Sequence, residues 1–480
     1  MAAPKTQAIE SGLDSILRNS SLLMGAKIVS SAVGMVVMVL LPRLLGDAEF
    51  GRLHLAISLT ALFGAAADFG LARVITRAVA CDRATAWPYL RQAALLSLLL
   101  GAGLYATLPV TVHALGYPAR VGNLVLILGV GMIVDTWAQL TSALFQAHEQ
   151  MLVPAVARIA GTVVMLGLVL GGLRHFNSVM SVAAVLVLAS VVRLAIQALA
   201  IRRLEGFRIP TRAETLPWRR LLVAGLPFLA WQGLGLFYFR LDVIMLGRMT
   251  SDATVGWYGA GSRLLESFTF IPDLLMAAML PVVARLWTTS PTQFQAASQK
   301  TLDLLLVATI PLVVVLLTLA DPIVDLLFGA GQFGPSIPIL RIKALTLAFL
   351  FVDYYLATIL IAVGRERRWL LLAVAACFVS PALNWVLIPL TDARYGNGGV
   401  GAAVATLVTE IFIMISAIRL TPRDAFGPAS WRVGLQATGA GVAAGAVILL
   451  GLALKAPWIP VGIAGGITYV ALVLYLGLVP

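Results

Sequence analysis

Charge is scarce in this chain. Of 480 residues, 12% are Asp, Glu, Lys or Arg, and 60% are hydrophobic. A soluble domain carries about 25% charged residues, so this chain cannot clothe itself in a water-compatible surface. Cysteine is almost missing: Cys81 and Cys377 make no metal or disulfide spacing. The four histidines, His54, His113, His148 and His175, fall at no ligand spacing either. Short alternating segments are absent, which excludes a β-barrel. The glycine-rich stretch Gly396 to Gly401 lacks the Lys-Ser/Thr of a nucleotide loop, so ATP hydrolysis has no support.

What is present is long apolar runs. Trp369 to Thr391, Val433 to Leu454 and Ala456 to Pro480 carry no charge at all, and each exceeds the ~20 residues that span a bilayer. Apolar stretches bounded by Gly, Pro and charge clusters give fourteen expected helices. They lie at about 21–41, 52–68, 89–110, 121–146, 153–173, 178–201, 221–247, 255–284, 302–320, 342–363, 368–390, 398–419, 433–454 and 457–478. The fold class is an all-α polytopic membrane protein of about 14 transmembrane helices. Short connections leave no room for an inserted soluble domain. The longest, Arg202 to Arg220, holds six arginines with Pro210 and Pro217 and reads as a segment on the cytoplasmic surface.

The net charge of +12 suggests nucleic acid, but topology explains it better. With the N-terminus inside, most of the Lys and Arg residues fall on the cytoplasmic side, which places both termini there. No small-residue cleavage site follows a short apolar core near Met1 to Asn19, so no cleaved signal peptide is expected.

The chain also echoes itself. Leu45-Gly46 with Phe50-Gly51-Arg52-Leu53 returns as Leu246-Gly247 with Val255-Gly256-Trp257-Tyr258, and Phe145 to Glu149 is answered by Ala362 to Glu366. Offsets of about 200 residues suggest two pseudo-symmetric six-helix lobes around a central cationic cavity, plus two C-terminal helices. The expected divisions are 1–201, a basic linker 202–220, 221–420, and accessory helices in 421–480.

Charges inside apolar spans cost roughly 2.5–3.5 kcal/mol each and mark pairs or wet cavities. Arg240 and Asp242 are two apart and point in different directions, so they cannot neutralise each other, and Asp242 lies nearer the outer boundary, where water reaches it. Arg263 and Glu266 are three apart and share a face. Lys27 stands in the first span, and Arg73 and Arg77 share a face after the second. Such cations suit a phosphate or diphosphate. The plainer alternatives are snorkelling for Lys27 and Arg240, a structural salt bridge for Arg263, and topology signals for Arg73 and Arg77. Asp135, Asp273, Asp353 and Glu410 are either proton or Na⁺ relays or helix–helix hydrogen-bond partners. No catalytic constellation appears, and the loop from Asp321 to Arg341, with Asp321, Asp325 and many glycines, weakens the reading as a membrane glycosyltransferase or polymerase without excluding it.

Taken in order, several motifs resemble a Wzx-type polysaccharide exporter of the multidrug/oligosaccharidyl-lipid/polysaccharide (MOP) flippase superfamily. They include Asn19, Leu44-Leu45-Gly46, Phe50-Gly51 and Ala67-Asp68-Phe69-Gly70-Leu71 with Arg77. In the second half come Pro227-Phe228, Arg240-Leu241-Asp242, Val255-Gly256-Trp257-Tyr258, Arg263-Leu264-Leu265-Glu266 and Leu327-Phe328-Gly329. Gly364-Arg365-Glu366-Arg367, Asn384 with Leu387-Ile388-Pro389, and Gly401 to Thr406 with Glu410 complete the series. The resemblance implies translocation of a lipid-diphosphate-linked oligosaccharide, on undecaprenyl, across the bacterial inner membrane for exopolysaccharide, capsule or O-antigen. It implies alternating access driven by an H⁺ or Na⁺ gradient without a further cofactor. The partners implied are membrane lipids, a polysaccharide polymerase and glycosyltransferases, with the protein a monomer and no nucleic acid bound. By the same resemblance Arg263 with Glu266 matches an acid–base pair of related lipid flippases, and Lys27 a first-span cation. From the charges themselves, Lys27, Arg73, Arg77, Arg240 and Arg263 are the expected substrate contacts, Asp242 and Glu266 the pairing or gating acids, and Asp135, Asp353 and Glu410 the candidates for ion coupling. Within the superfamily the alternatives are a peptidoglycan-precursor flippase and a multidrug antiporter. From a different class, the alternative is a membrane glycosyltransferase or polymerase.

Overall fold

Helices joined by tight turns make up the computed structural model, which describes residues 3–172, 178–204, 216–329 and 331–478, with side chains from 34 onward except 35, 38, 172, 428 and 429. There is no strand among the described residues. Thirteen stretches among them are long and apolar enough to cross a membrane, from Val39–Cys81 to Trp458–Tyr475. They correspond to the second through fourteenth expected spans. The first, 21–41, rests on side chains that are almost all outside the described residues, as does the middle of the basic segment 202–220. Large apolar side chains such as Leu199, Phe378 and Trp431 lie on the surface, where a membrane protein meets lipid.

The chain forms two compact units, Met1–Arg240 and Leu241–Pro480. The first holds α1 (Ala3–Asp68), α2 (Leu71–Cys81), α3 (Ala86–Ala114), α4 (Ala119–Ala147), α5 (Leu152–Gly172), α6 (Val179–Ile201) and most of α7 (Trp218–Met249). Gly46 breaks α1 with φ 74° and ψ 175°, a conformation open to glycine but strained for other residues. A second break follows Asp68, where Phe69 and Gly70 both take positive φ. Asp68 repairs it: its carboxylate accepts from the backbone N–H groups of Gly70 (3.2 Å) and Ala72 (3.3 Å) at the start of α2. The corner is packed so closely on α7 that a Cβ on Gly225 would stand 2.3 Å from the Phe69 carbonyl oxygen.

Short α2 has one apolar side. Leu71, Val74, Ile75 and Val79 are buried against Leu140, Leu144 and Phe145 of α4 and Leu90 of α3, spaced as a helical stripe requires. Arg73 and Arg77 are thereby turned to the opposite, exposed side. The indole N–H of Trp218 donates to Gln92 at 2.9 Å and ties the start of α7 to α3.

The second unit holds the end of α7, then α8 (Asp252–Glu266), α9 (Phe270–Thr289), α10 (Pro291–Thr318), α11 (Ala320–Phe328), α12 (Ser336–Ala362), α13 (Glu366–Tyr395), α14 (Gly398–Leu420), α15 (Pro428–Ala453) and α16 (Trp458–Tyr475). The single span expected at 255–284 is two helices. Ser267 and Thr269 bond back to the carbonyls of Arg263 and Glu266, and Pro272 suits the first turn of α9, where its missing N–H costs nothing. The stretch 321–341, expected as a loop, contains α11. Ser251 and Ser290 cap α8 and α10 by accepting from the N–H groups of Thr254 and Gln293.

Helix α12 is the axis of this unit, packing on α8, α9, α10, α13 and α14 with Leu347, Phe351, Tyr355 and Leu356 buried. Helices α13 and α14 touch at Gly401, where a Cβ would lie 2.2 Å from the Leu387 carbonyl. The last two helices pack on each other and on α10, to which Tyr469 of α16 donates a hydrogen bond at Val307 (2.8 Å).

Candidate functional site

Two polar sites stand inside this apolar protein, one in each unit. In the first unit a cavity of about 490 Å³ is lined by residues that include Asp135, Gln139, Arg158 and Arg193. Beside it a second cavity of about 560 Å³ adds Arg73 and Arg77. The two share Asp68, Gln139, Arg158, Arg193 and Gln232, so they adjoin along a common wall. Each has the volume of a small-ligand site.

The walls carry four arginines and two carboxylates, and both carboxylates are already engaged. Arg193 donates to Asp135 at 2.5 Å, across α6 and α4, while Asp68 caps α2. No carboxylate among the described residues forms a salt bridge with Arg73, Arg77 or Arg158. The excess is positive, and guanidinium groups bind phosphate oxygens two at a time.

In the second unit the centre is Asp242 on α7, only 4% exposed. One carboxylate oxygen accepts from the hydroxyls of Tyr258 (2.7 Å) and Thr406 (2.8 Å). The other accepts from the Asn384 amide (2.7 Å) and the Ser380 hydroxyl (3.4 Å). Lys343, 5% exposed on α12, donates to the Thr406 hydroxyl at 3.0 Å, and its ammonium lies 4.8 Å from the centre of the Tyr258 ring. Five helices therefore converge on one carboxylate. A buried charge persists only when such bonds and an opposite charge replace its water.

The residues singled out from the sequence divide between these sites and elsewhere. Arg73 and Arg77 do share a face, and both line the second cavity. Asp135 lines the first cavity as the partner of Arg193. Asp242 is not a water-reached residue of the outer boundary; it is buried beneath five side chains, because neutral donors and one cation take the place of solvent. Arg263 and Glu266 pair at 3.3 Å, three apart on α8. Arg240 is half-buried on α7 and lines neither cavity. The side chain of Lys27 lies outside the described residues. Asp353 and Glu410 are buried, 4% and 2% exposed, on α12 and α14, and their carboxyl groups interact.

Sequence reasoning missed Arg158, Arg193 and Lys343 as site residues. Arg193 was legible as a charge inside a span, but its partner stands 58 residues away. Lys343 reads as a flanking cation, and only the packing of α12 puts it beside Asp242. Among the described residues no group of three or more His, Cys, Asp or Glu has the arrangement of a metal site.

The model of the family described as polysaccharide biosynthesis protein matches residues 16–287, more than half of the chain. A second model, MatE, matches 229–386. No curated protein matches the sequence. The solved structure described as lipid II flippase MurJ, inward closed conformation, superposes with a TM-score of 0.75 at 15% identity, covering 96% of this chain and 100% of that one. An inward-facing multidrug resistance MATE family transporter of the MOP superfamily gives 0.67 at 14% identity, over 86% of this chain and 96% of that one. A MOP superfamily transporter from Pyrococcus furiosus, described as having a binding pocket of reverse polarity, gives 0.58 at 15%, over 89% and 96%. Likeness at these identities is likeness of fold, and the fold is that of the MOP transporters.

Proposed function

We propose a function on the premise that the chain belongs to the polysaccharide biosynthesis protein family. This multi-pass membrane protein moves an undecaprenyl-diphosphate-linked oligosaccharide repeat unit from the cytoplasmic to the outer leaflet of the bacterial inner membrane, for exopolysaccharide, capsule or O-antigen synthesis. Both termini face the cytoplasm. It works by alternating access coupled to an ion gradient, and it feeds a polysaccharide polymerase downstream of glycosyltransferases.

The observation that carries this reading is the pair of adjoining cavities with Arg73, Arg77, Arg158 and Arg193 in their walls. A diphosphate is the part of the substrate common to every lipid-linked repeat unit, and arginine is the side chain that binds its oxygens two at a time. Arg240, Arg263 and Lys27 are further candidates for substrate contact by their charge, and Glu266 pairs with Arg263. Asp353 and Glu410 serve ion coupling. A drug antiporter for organic cations is disfavoured, since such a cargo wants carboxylates where these walls have guanidinium groups.

A strain lacking the gene tests the reading. It should accumulate the lipid-linked unit on the cytoplasmic leaflet, and the wild-type gene should restore polymer. The double substitution of Arg73→Ala with Arg77→Ala should reach the membrane at normal abundance and fail to restore it. A deletion strain that still exposes single units outside would overturn the proposal. Rescue of cells depleted of their lipid II flippase would transfer it to the peptidoglycan precursor, which carries the same diphosphate.

A further inference from the structure

Lysine is the residue least expected in a site like that of Asp242. Its ammonium is a compact, strongly hydrated charge, and burying it is justified only by an opposite charge close by. Lys343 is 5% exposed. It makes no direct salt bridge to Asp242, but both charges bond the same hydroxyl: Thr406 accepts from Lys343 at 3.0 Å and donates to Asp242 at 2.8 Å. The Tyr258 ring faces the ammonium at 4.8 Å while its hydroxyl donates to the same carboxylate oxygen.

Without the lysine, what remains is a nest of oxygen atoms. Two belong to Asp242, and Thr406, Tyr258 and Ser380 contribute hydroxyls. Asn384 is fully buried and presents its amide nitrogen to the carboxylate. Carboxylate and hydroxyl oxygens around one negative charge are the donors a hard cation takes.

We propose that Lys343 is a tethered cation: its ammonium holds the place beside Asp242 that a monovalent metal ion would otherwise take, so the native cluster binds no sodium and loss of the lysine opens a sodium site. The inference concerns the second unit alone and stands whatever cargo the protein carries.

The test uses the full chain purified in detergent, with thermal unfolding followed in sodium chloride and in choline chloride of equal ionic strength. The wild-type midpoint is the same in both salts. Lys343→Ala unfolds at a lower temperature in choline and is raised by sodium in a saturable way, by about 1–3 °C at ten times the dissociation constant. Adding Asp242→Asn to that variant abolishes the sodium response. Lys343→Met, which keeps the volume of the stem, serves if the alanine variant does not fold, and it too gains a sodium response. A saturable, sodium-specific stabilisation of the wild-type protein that Asp242→Asn abolishes overturns the proposal, and so does a folded variant without Lys343 that ignores sodium. If neither variant folds, retention of radioactive sodium by the wild-type protein decides: none above a choline-competed background supports the tethered cation, and stoichiometric retention refutes it.

Discussion

Lys343 and Asp242 communicate through one hydroxyl, with Thr406 bonded to each at 3.0 and 2.8 Å. The carboxylate and the ammonium come from α7 and α12, 101 positions apart in sequence, and neither has water to fall back on. Their energies are therefore linked.

Removing one charge should cost far more than removing both. Asp242→Asn leaves a buried ammonium uncompensated, which destabilises by about 3–5 kcal/mol. Combining it with Lys343→Met should recover most of that loss. Unfolding midpoints in detergent measure both, and a single variant as stable as the double would disprove the linkage.

The pair of Arg193 and Asp135 should contribute modestly, because their side chains are 25% and 42% exposed. Asp135→Ala should destabilise by about 1 kcal/mol, and a double-mutant cycle with Arg193→Ala should return a coupling of about 0.5–1 kcal/mol. A coupling near zero would show that the contact is incidental.

Substrate affinity should follow the arginines of the cavity wall. Arg77→Ala should weaken binding of a lipid diphosphate about 10- to 100-fold, as loss of a charge-assisted contact worth about 1.5–3 kcal/mol would. Arg77→Lys should restore only part of it, since an ammonium cannot offer two parallel donors. Titration calorimetry with the purified protein reads the series, and unchanged affinity in the alanine variant would take Arg77 out of the site.

The corner between α1 and α2 should tolerate no side chain at its contact with α7. Gly225→Ala places a carbon 2.3 Å from the Phe69 carbonyl oxygen, and such overpacking costs about 1–3 kcal/mol. Reduced thermal stability with displaced Arg73 and Arg77, seen as weaker diphosphate binding, is the expected outcome. Wild-type stability would mean the corner can yield.

The sequence by itself determined the class of the protein and most of its helices. Apolar runs of about 20 residues leave the backbone one way to satisfy its own hydrogen bonds in lipid, which is the helix. Relations within one helix were legible too: Arg73 with Arg77, and Arg263 with Glu266, follow from a 3.6-residue turn. The tertiary structure decided everything that joins separate helices. Asp242 looked like a residue within reach of water until Tyr258, Asn384 and Thr406 were brought to it, and Lys343 looked like a flanking charge until α12 became the axis of its unit. Asp135 acquired Arg193 in the same way. Hydropathy fixes which segments leave water, but the price of a buried charge depends on what stands a few ångströms from it, and only the packing of helices against one another sets that distance.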